Sequence, residues 1–304
     1  MRVATCQFPV SDCIESNAKH IVRQLGEARH SGARIAHFCE GALSGYAGVD
    51  FLSFAGYDWG RLRACSQRVS EAARDAGVWA VFGSSHPLSQ GAKPHNSVYV
   101  LDDRGEPVDR YDKRFCAGAP DDPEGELAHF SPGDRPCTFE VDGVLCGVLI
   151  CHEYRYPELV RQYKEAGVQL ILHSFHAANV REDRLDAMRR EVGAENRLCN
   201  TGDTLPEITM PAAMIAAAAS NHVWISCSNS SAGHSCWPAF FVRADGVVTG
   251  RLERERAGVL VSQLDLTAEL YDSTRPWRER AMAGVLYSGD PPKDDPRSLD
   301  RRSF

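Results

Sequence analysis

Three stretches of this chain place chemistry-bearing side chains where apolar runs end. The first is Val144 to Glu158, VLCGVLICHEYRYPE, in which a buried, strand-like run closes on Cys151 and a helix begins near Pro157. This puts a thiol at the carboxyl end of a strand, where open α/β sheets leave their ligand crevice. The helix start nearby adds partial positive charge that favours thiolate. The second is Tyr111-Asp112-Lys113-Arg114-Phe115, where Lys113 ends a strand-like run just before a Gly/Pro-rich loop. The third is Phe38 to Tyr46, where Glu40 ends another apolar run. Taken singly, a buried thiol, a solvated lysine and a strand-end carboxylate are all ordinary. Taken together they offer what nucleophilic catalysis by a thiol needs, because a free thiol is only partly ionised at neutral pH and wants a base or a cation beside it.

The elements that must position these groups follow from periodicity. Arg2–Pro9, Arg34–Cys39, Val78–Ser84, Asn96–Leu101, Val108–Lys113, Cys137–Val141, Val144–Ile150, Val168–His173, Val223–Ser228, Ala239–Arg243 and Val259–Leu264 read as strands. Apolar spacing of helical period covers Ser16–His30, Arg61–Ala76, Pro157–Ala166, Arg181–Asn200 and Pro211–Asn221. Ala117–Pro136 is rich in Gly, Pro and Asp and reads as a loop. Strands and helices alternate, with hairpins between them. That pattern predicts a layered α/β fold of mixed sheets covered by helices. No internal repeat and no long linker is evident, and the tail from Ser288 reads as extended.

Composition narrows the class. A net charge of −7 over 304 residues argues against a general nucleic-acid binder. No run reaches the ~18–20 apolar residues of a membrane span, and the N-terminus enters a strand without signal-peptide features. The eleven cysteines include no CxxC pair, and several lie in apolar runs (Cys6, Cys39, Cys146, Cys227), which suits a reducing, cytoplasmic setting.

At this point the sequence resembles the nitrilase superfamily of carbon–nitrogen hydrolases, over roughly residues 2 to 270. Glu40 with Gly45-Tyr46 is similar to the family's glutamate motif, Tyr111-x-Lys113 to its lysine motif, and Leu149 to Leu159 around Cys151 to its cysteine motif. The segment Glu126 to Asp134 resembles one in which a second, positioning glutamate precedes an aromatic residue and a Pro-Gly-Asp turn, and by that match Glu126 is that glutamate. The resemblance implies a four-layer α-β-β-α sandwich of two mixed sheets. It implies no metal and no organic cofactor, and a homodimer or higher homo-oligomer paired across helices near the cysteine. It further implies Cys151 as nucleophile, Glu40 as general base, Lys113 as stabiliser of the tetrahedral intermediate, and a small-molecule amide as substrate. A hydrolase domain is expected over residues 1–275, and a C-terminal tail, extended and in a possible oligomer contact, over 276–304.

Departures from the family pattern bear on the branch. Cys39 stands where family members often have Pro, and His152-Glu153 follows the nucleophile, while Arg155 and Glu158 match the amidase-like pattern. Amides are therefore favoured over nitriles. A nitrilase or an N-carbamoyl hydrolase using the same three residues remains the alternative, and a non-catalytic binding protein on the same fold is a second. Asn221 and Asn229 match family asparagines, but Arg and Glu of the usual motif before Asn221 are missing. The stretch from about 179 to 209 is longer than usual, and is either a lid or dimer contact, or a solvent-facing helical insertion.

His173, Ser174, Phe175 and His176 lie at the strand end next to Cys151, so His173, Phe175 and His176 are expected to face the same pocket and touch substrate. His152 offers a backbone N–H as a second oxyanion donor and belongs with the substrate-binding residues. Tyr46 and Phe115, with Trp59, are either apolar walls of that pocket or core. The histidine pair 173/176 invites a metal reading, but no Cys or carboxylate stands at suitable spacing, and no metal is expected. The hydroxyl-rich Ser226–Ser235 either lines the pocket or is a plain loop.

Overall fold

The structure, a computed structural model, describes residues 1–89 and 91–303; Gln90 and Phe304, the last residue of the expected tail, lie outside the described residues. The first half of the chain builds one sheet from β1 (Arg2–Gln7), β2 (Ile35–His37), β3 (Trp79–His86), β4 (His95–Leu101) and β5 (Pro107–Asp112). The second half builds another from β6 (Thr138–Val141), β7 (Val144–Ile150), β8 (Leu170–Ser174), β9 (Trp224–Ser228), β10 (Phe240–Val242) and β11 (Val248–Arg251). The last strand, β12 (Gly258–Gln263), returns to the first sheet, giving the orders β12-β1-β2-β3-β4-β5 and β11-β10-β9-β8-β7-β6.

Each sheet has a parallel trio in its middle, β1-β2-β3 and β7-β8-β9, flanked by antiparallel strands. Read from β12 and from β6, the two sheets repeat one pattern: antiparallel, parallel, parallel, antiparallel, antiparallel. The chain therefore contains a topological repeat, although no internal repeat is evident in its sequence. It escapes sequence reading because equivalent strands need only share apolar character, not residue identity.

The alternation of strand side chains sorts the core into layers. Val3, Ile35, Val81, Val98 and Tyr111 of the first sheet pack against Cys146, Val148, Ile150, Leu170 and Leu172 of the second. Their neighbours Ala4, Cys6, Ala36 and Phe82 face the other way, under α1 (Ile14–His30) and α2 (Trp59–Ala76). On the outer face of the second sheet lie α3 (Pro157–Glu165) and α5 (Leu205–Asn221), whose Leu159, Val160, Tyr163, Met210, Met214 and Ala218 join the inter-sheet core cluster. The result is the four-layer α-β-β-α sandwich. Its seam is not wholly apolar: buried His37 of β2 meets Ser226 Oγ at 2.8 Å through Nδ1 and Ser174 Oγ at 3.0 Å through Nε2, and Thr5 meets Ser226 at 2.7 Å.

Between β8 and α5, α4 (Glu182–Val192) stops at Gly193, and a 3₁₀ turn covers Ala194–Cys199. The single helix expected over 181–200 is thus two pieces, broken where Gly193 takes φ +77°. Conversely α5 begins six residues before the expected Pro211. Thr204 caps it and Glu207 closes the capping box, with Pro211 carried inside the helix. Beyond β12 come two short helices, α6 (Arg278–Met282) and α7 (Pro296–Leu299), where an extended tail was expected, and they are largely exposed.

Candidate active site

The parallel trios direct their carboxyl ends to one end of the sandwich, and the chain turns there carry the polar side chains. Glu40 follows β2 on a loop pressed onto β3: the Gly83 N–H donates to Cys39 O at 3.1 Å and the Leu43 N–H to Gly83 O at 2.9 Å. Only glycine permits that approach, because a Cβ on Gly83 would lie 2.7 Å from Glu40 Cα. Lys113 follows β5, and its N–H donates to Asn96 O of β4 at 2.9 Å. Glu126 heads a 3₁₀ turn, Glu126–Ala128, in the long loop before β6.

These three side chains meet in the interior. Lys113 Nζ donates to Glu40 Oε1 at 2.9 Å and reaches Glu126 Oε2 at 2.7 Å, with all three side chains at most 4% exposed. Asn96 Nδ2 donates to Glu40 Oε1 at 2.7 Å and to Glu126 Oε1 at 2.9 Å. The Ala117 N–H donates to Glu126 Oε2, and the nearby Tyr46 hydroxyl favours the ionised form of the same carboxyl. Burial alone favours a neutral lysine, but Glu126 and Glu40 hold the Lys113 ammonium well above its ordinary pKa. Burial likewise pushes the Glu126 carboxyl up, and Lys113 more than reverses it, leaving a carboxylate. The centre is thus a buried ammonium clamped between two acidic side chains.

Cys151 follows β7 and opens a 3₁₀ turn, Cys151–Arg155, in a left-handed conformation at φ +41° that a non-glycine residue rarely holds. Two buried groups lock this turn. His173 Nε2–H donates to the Cys151 carbonyl at 3.2 Å. Glu153 accepts from Ile150 N–H at 2.8 Å, from Tyr111 O–H at 2.7 Å, from Arg114 N–H at 2.8 Å and from Phe115 N–H at 3.2 Å. One carboxyl therefore ties the cysteine turn to the chain leaving Lys113. Burial and the Glu40 carboxylate raise the Cys151 thiol well above its ordinary value, against the opposing pull of Lys113 and the His176 backbone N–H. The resting group is a thiol. This corrects the expectation that a helix start favours thiolate: a five-residue 3₁₀ turn, not α3, follows the sulfur, and the Glu40 and Glu126 carboxylates oppose ionisation.

The remaining sequence-named residues are dispersed around this centre. Tyr46 borders the centre, its ring 5.4 Å from His176 and 5.8 Å from Phe130. Phe115 and His152 gather around Tyr156 on the other side: Phe115 stacks on Tyr156 at 4.3 Å and His152 Nε2 meets its hydroxyl at 3.2 Å. Trp59 stacks on Phe54 among the aromatic residues of the loop before α2. His173 and Phe175 are fully buried and stack on each other at 4.2 Å beneath the cysteine turn, rather than around a cavity. Burial lowers the His173 imidazole to about 3, so it is neutral and serves as a donor to the turn. His176 is buried as well, but as an ion pair with Asp50 at 2.8 Å. Asn229, the later family asparagine, accepts from Ala177 N–H at 2.9 Å and fixes the chain after His176. Sequence reading passed over Asn96, Asp50 and the clamping role of Glu153. Asn96 opens its strand between polar His95 and Ser97 and breaks no apolar pattern, and Asp50 lies in a loop, so neither left a signal. Among the described residues no group of three or more His, Cys, Asp or Glu side chains is arranged to hold a metal ion. No helix among them is long and apolar enough to cross a membrane.

Two helix-covered sheets with a carboxylate–ammonium–thiol cluster at their strand ends define a nitrilase-like sandwich. Residues 2–272 match the carbon-nitrogen hydrolase family, and the chain belongs to it. Among curated proteins it is 33% identical over 176 residues to a glutamine-dependent NAD(+) synthetase of Xylella fastidiosa, covering 57% of this chain and 31% of that protein. It is 27% identical over 177 residues to an omega-amidase of Homo sapiens, covering 57% of this chain and 62% of that one. The matched region thus spans less than two thirds of either relative. Among solved structures, an amidase variant from Nesterenkonia AN1 of the nitrilase superfamily superposes with a TM-score of 0.70 at 22% identity, covering 94% of this chain and 97% of that one, and shares the fold.

Proposed function

We propose that this chain is an amidase-like enzyme that hydrolyses the C–N bond of a small terminal amide through a thioester on Cys151. The observation that carries this reading is the buried Lys113 ammonium, held 2.9 Å from Glu40 and 2.7 Å from Glu126 at the strand ends that also present the thiol. Because the resting sulfur is protonated, attack requires a base, and Glu40 takes the Sγ proton as sulfur bonds to the amide carbon. The carbonyl π electrons move onto oxygen, where Lys113 and a backbone N–H of the cysteine turn stabilise the charge. Glu40 then passes its proton to the nitrogen, the C–N bond breaks, and ammonia or an amine leaves. Water, deprotonated by Glu40, attacks the thioester carbon. The acid departs and the sulfur recovers its proton. Glu126 and Asn96 hold Lys113 and Glu40 in register throughout.

The names of two relatives support a terminal amide: one uses glutamine, the other is an omega-amidase. The aromatic group Phe115, His152 and Tyr156 and the opposite wall at Tyr46 belong to the substrate-binding part of this reading. Pairing of two copies across α3 and α5 belongs to it too, supported by the open groove there lined by Val160, Ala213, Ala216 and Ala217. The test is ammonia release from a panel of small amides, nitriles and N-carbamoyl amino acids, with Cys151→Ala as control. Release from terminal amides, abolished in the control, is expected. Release confined to nitriles or carbamoyl compounds moves the chain to another branch, and no release from any of them overturns the enzymatic reading.

A further inference from the structure

One buried ion pair at the site has no part in the mechanism above. His176 Nε2–H donates to Asp50 Oδ2 at 2.8 Å, with side chains 0% and 1% exposed. Asp50 is itself braced, accepting from Asn179 Nδ2 at 2.6 Å and from the Tyr46 N–H at 2.9 Å. Taking both charges out of water is costly, and an apolar pair fills such a space at no worse stability. The pair instead joins two segments that the chemistry needs held together: the loop that follows Glu40 and the turn that follows β8.

The backbone of His176 shows what is held. Its N–H donates to Glu40 Oε2 at 3.0 Å and also favours the ionised form of the Cys151 sulfur. The two oxygens of Glu40 differ in consequence. Oε1 accepts from both Lys113 and Asn96, which fills its two lone pairs. Oε2 accepts from His176 alone among the described residues, so it keeps one lone pair for the thiol proton. The direction of that lone pair is set by where the His176 N–H sits.

The geometry points to the Asp50–His176 pair as a positioning device. Anchored through its ring to the loop after Glu40, His176 aims its N–H so that Oε2 faces the sulfur and accepts its proton. This rests on Glu40 acting as base, as proposed above, and adds which oxygen acts and what aims it. The charged and titratable groups facing His176 are Asp50 and Tyr46 from the loop after Glu40, and Glu40 itself. Lys113, Glu126 and Cys151 complete the adjoining cluster.

The test reads the thiol directly and needs no substrate. Alkylation of Cys151 by iodoacetamide, followed by peptide mass spectrometry from pH 6 to 10, is compared between the native chain, Asp50→Asn and Asn179→Ala. Asp50→Asn keeps the shape and removes the charge. Its alkylation profile is expected to move up by about one pH unit, with alkylation at neutral pH about tenfold slower. Where a terminal amide is turned over, kcat falls with it while KM stays within about twofold. Asn179→Ala, which keeps the pair but removes one brace, moves the profile in the same direction by less. If Asp50→Asn does not fold, Asn179→Ala decides by the same displacement. Profiles that superimpose on the native one in every folded variant overturn the proposal, including the case where only the melting temperature falls. Failure to find any amide substrate overturns the amidase reading but leaves this readout intact, so the two failures are distinguishable.

Discussion

Lys113 has the fewest possible substitutes in the site, because one ammonium satisfies two buried carboxylates at once. Lys113→Ala leaves Glu40 and Glu126 facing each other with no cation between them and, on the mechanism proposed above, removes the donor to the developing oxyanion. A single such donor contributes ~3–4 kcal/mol to the transition state, so turnover of a terminal amide is expected to fall roughly a thousandfold. Steady-state kinetics checks this, and near-native turnover removes Lys113 from the mechanism. At this scale the sequence was most legible where a polar residue ended an apolar run: Glu40, Lys113 and Cys151 all do, and the structure places all three at strand ends. It was least legible where a residue's role depends on a partner far along the chain. Asn96 bridges two carboxylates that lie 56 positions before and 30 after it, and no local pattern encodes that. His173 and His176 sit three apart at one strand end, yet burial lowers the first to about 3 while Asp50 raises the second, a divergence only packing creates.

Among the elements, the cysteine turn depends on Glu153. Its carboxyl takes three backbone N–H groups and one hydroxyl, joining the end of β7 to the chain after β5. Glu153→Gln keeps the size but presents an NH₂ group to N–H donors, so at least one buried donor loses its acceptor. The expected cost is about 1–3 kcal/mol in thermal or denaturant unfolding, with loss of activity greater than the loss of folded protein. Unchanged stability shows that the clamp is dispensable. Most strands and α1 to α3 were readable within a few residues, since period-2 and period-3.6 apolar patterns are strong there. β11 was not, because Val248–Arg251 is a short, largely exposed edge strand with little burial to shape its composition. The early start of α5 lay in the Thr204/Glu207 capping box, a local signal that the more conspicuous Pro211 obscured.

Over the whole molecule, one buried imidazole sits in the seam between the sheets, at His37, and another on the opposite face of β8 beneath the cysteine turn, at His173, and these set how stability varies with pH. Burial lowers His37 and His173 to about 3, from an ordinary 6.5. Between those values the unfolded chain binds more protons than the folded one, so stability is full above about pH 6.5 and falls as pH drops toward 3. His176 works the other way: against burial, Asp50 raises it, so its contribution is present below about pH 6.5 and is lost as pH climbs through its folded value. Melting temperature is therefore expected to drop steadily from pH 6.5 to 4, and His37→Gln to flatten that slope. An unaltered slope in the variant assigns the acid sensitivity elsewhere. The layered architecture was legible from alternating strands and helices, whereas the repeat of one strand pattern in both sheets emerges only from pairing directions.

The central claim is that Cys151 carries the acyl group of an amide while Lys113 and Glu40 serve it. Rapid mixing with a terminal amide, acid quench and peptide mass spectrometry tests this most directly. The account predicts a transient mass increase equal to the acyl group less the thiol hydrogen it replaces on the peptide bearing Cys151, absent in Cys151→Ala. Ammonia release with no adduct there, or with the adduct on another residue, contradicts it.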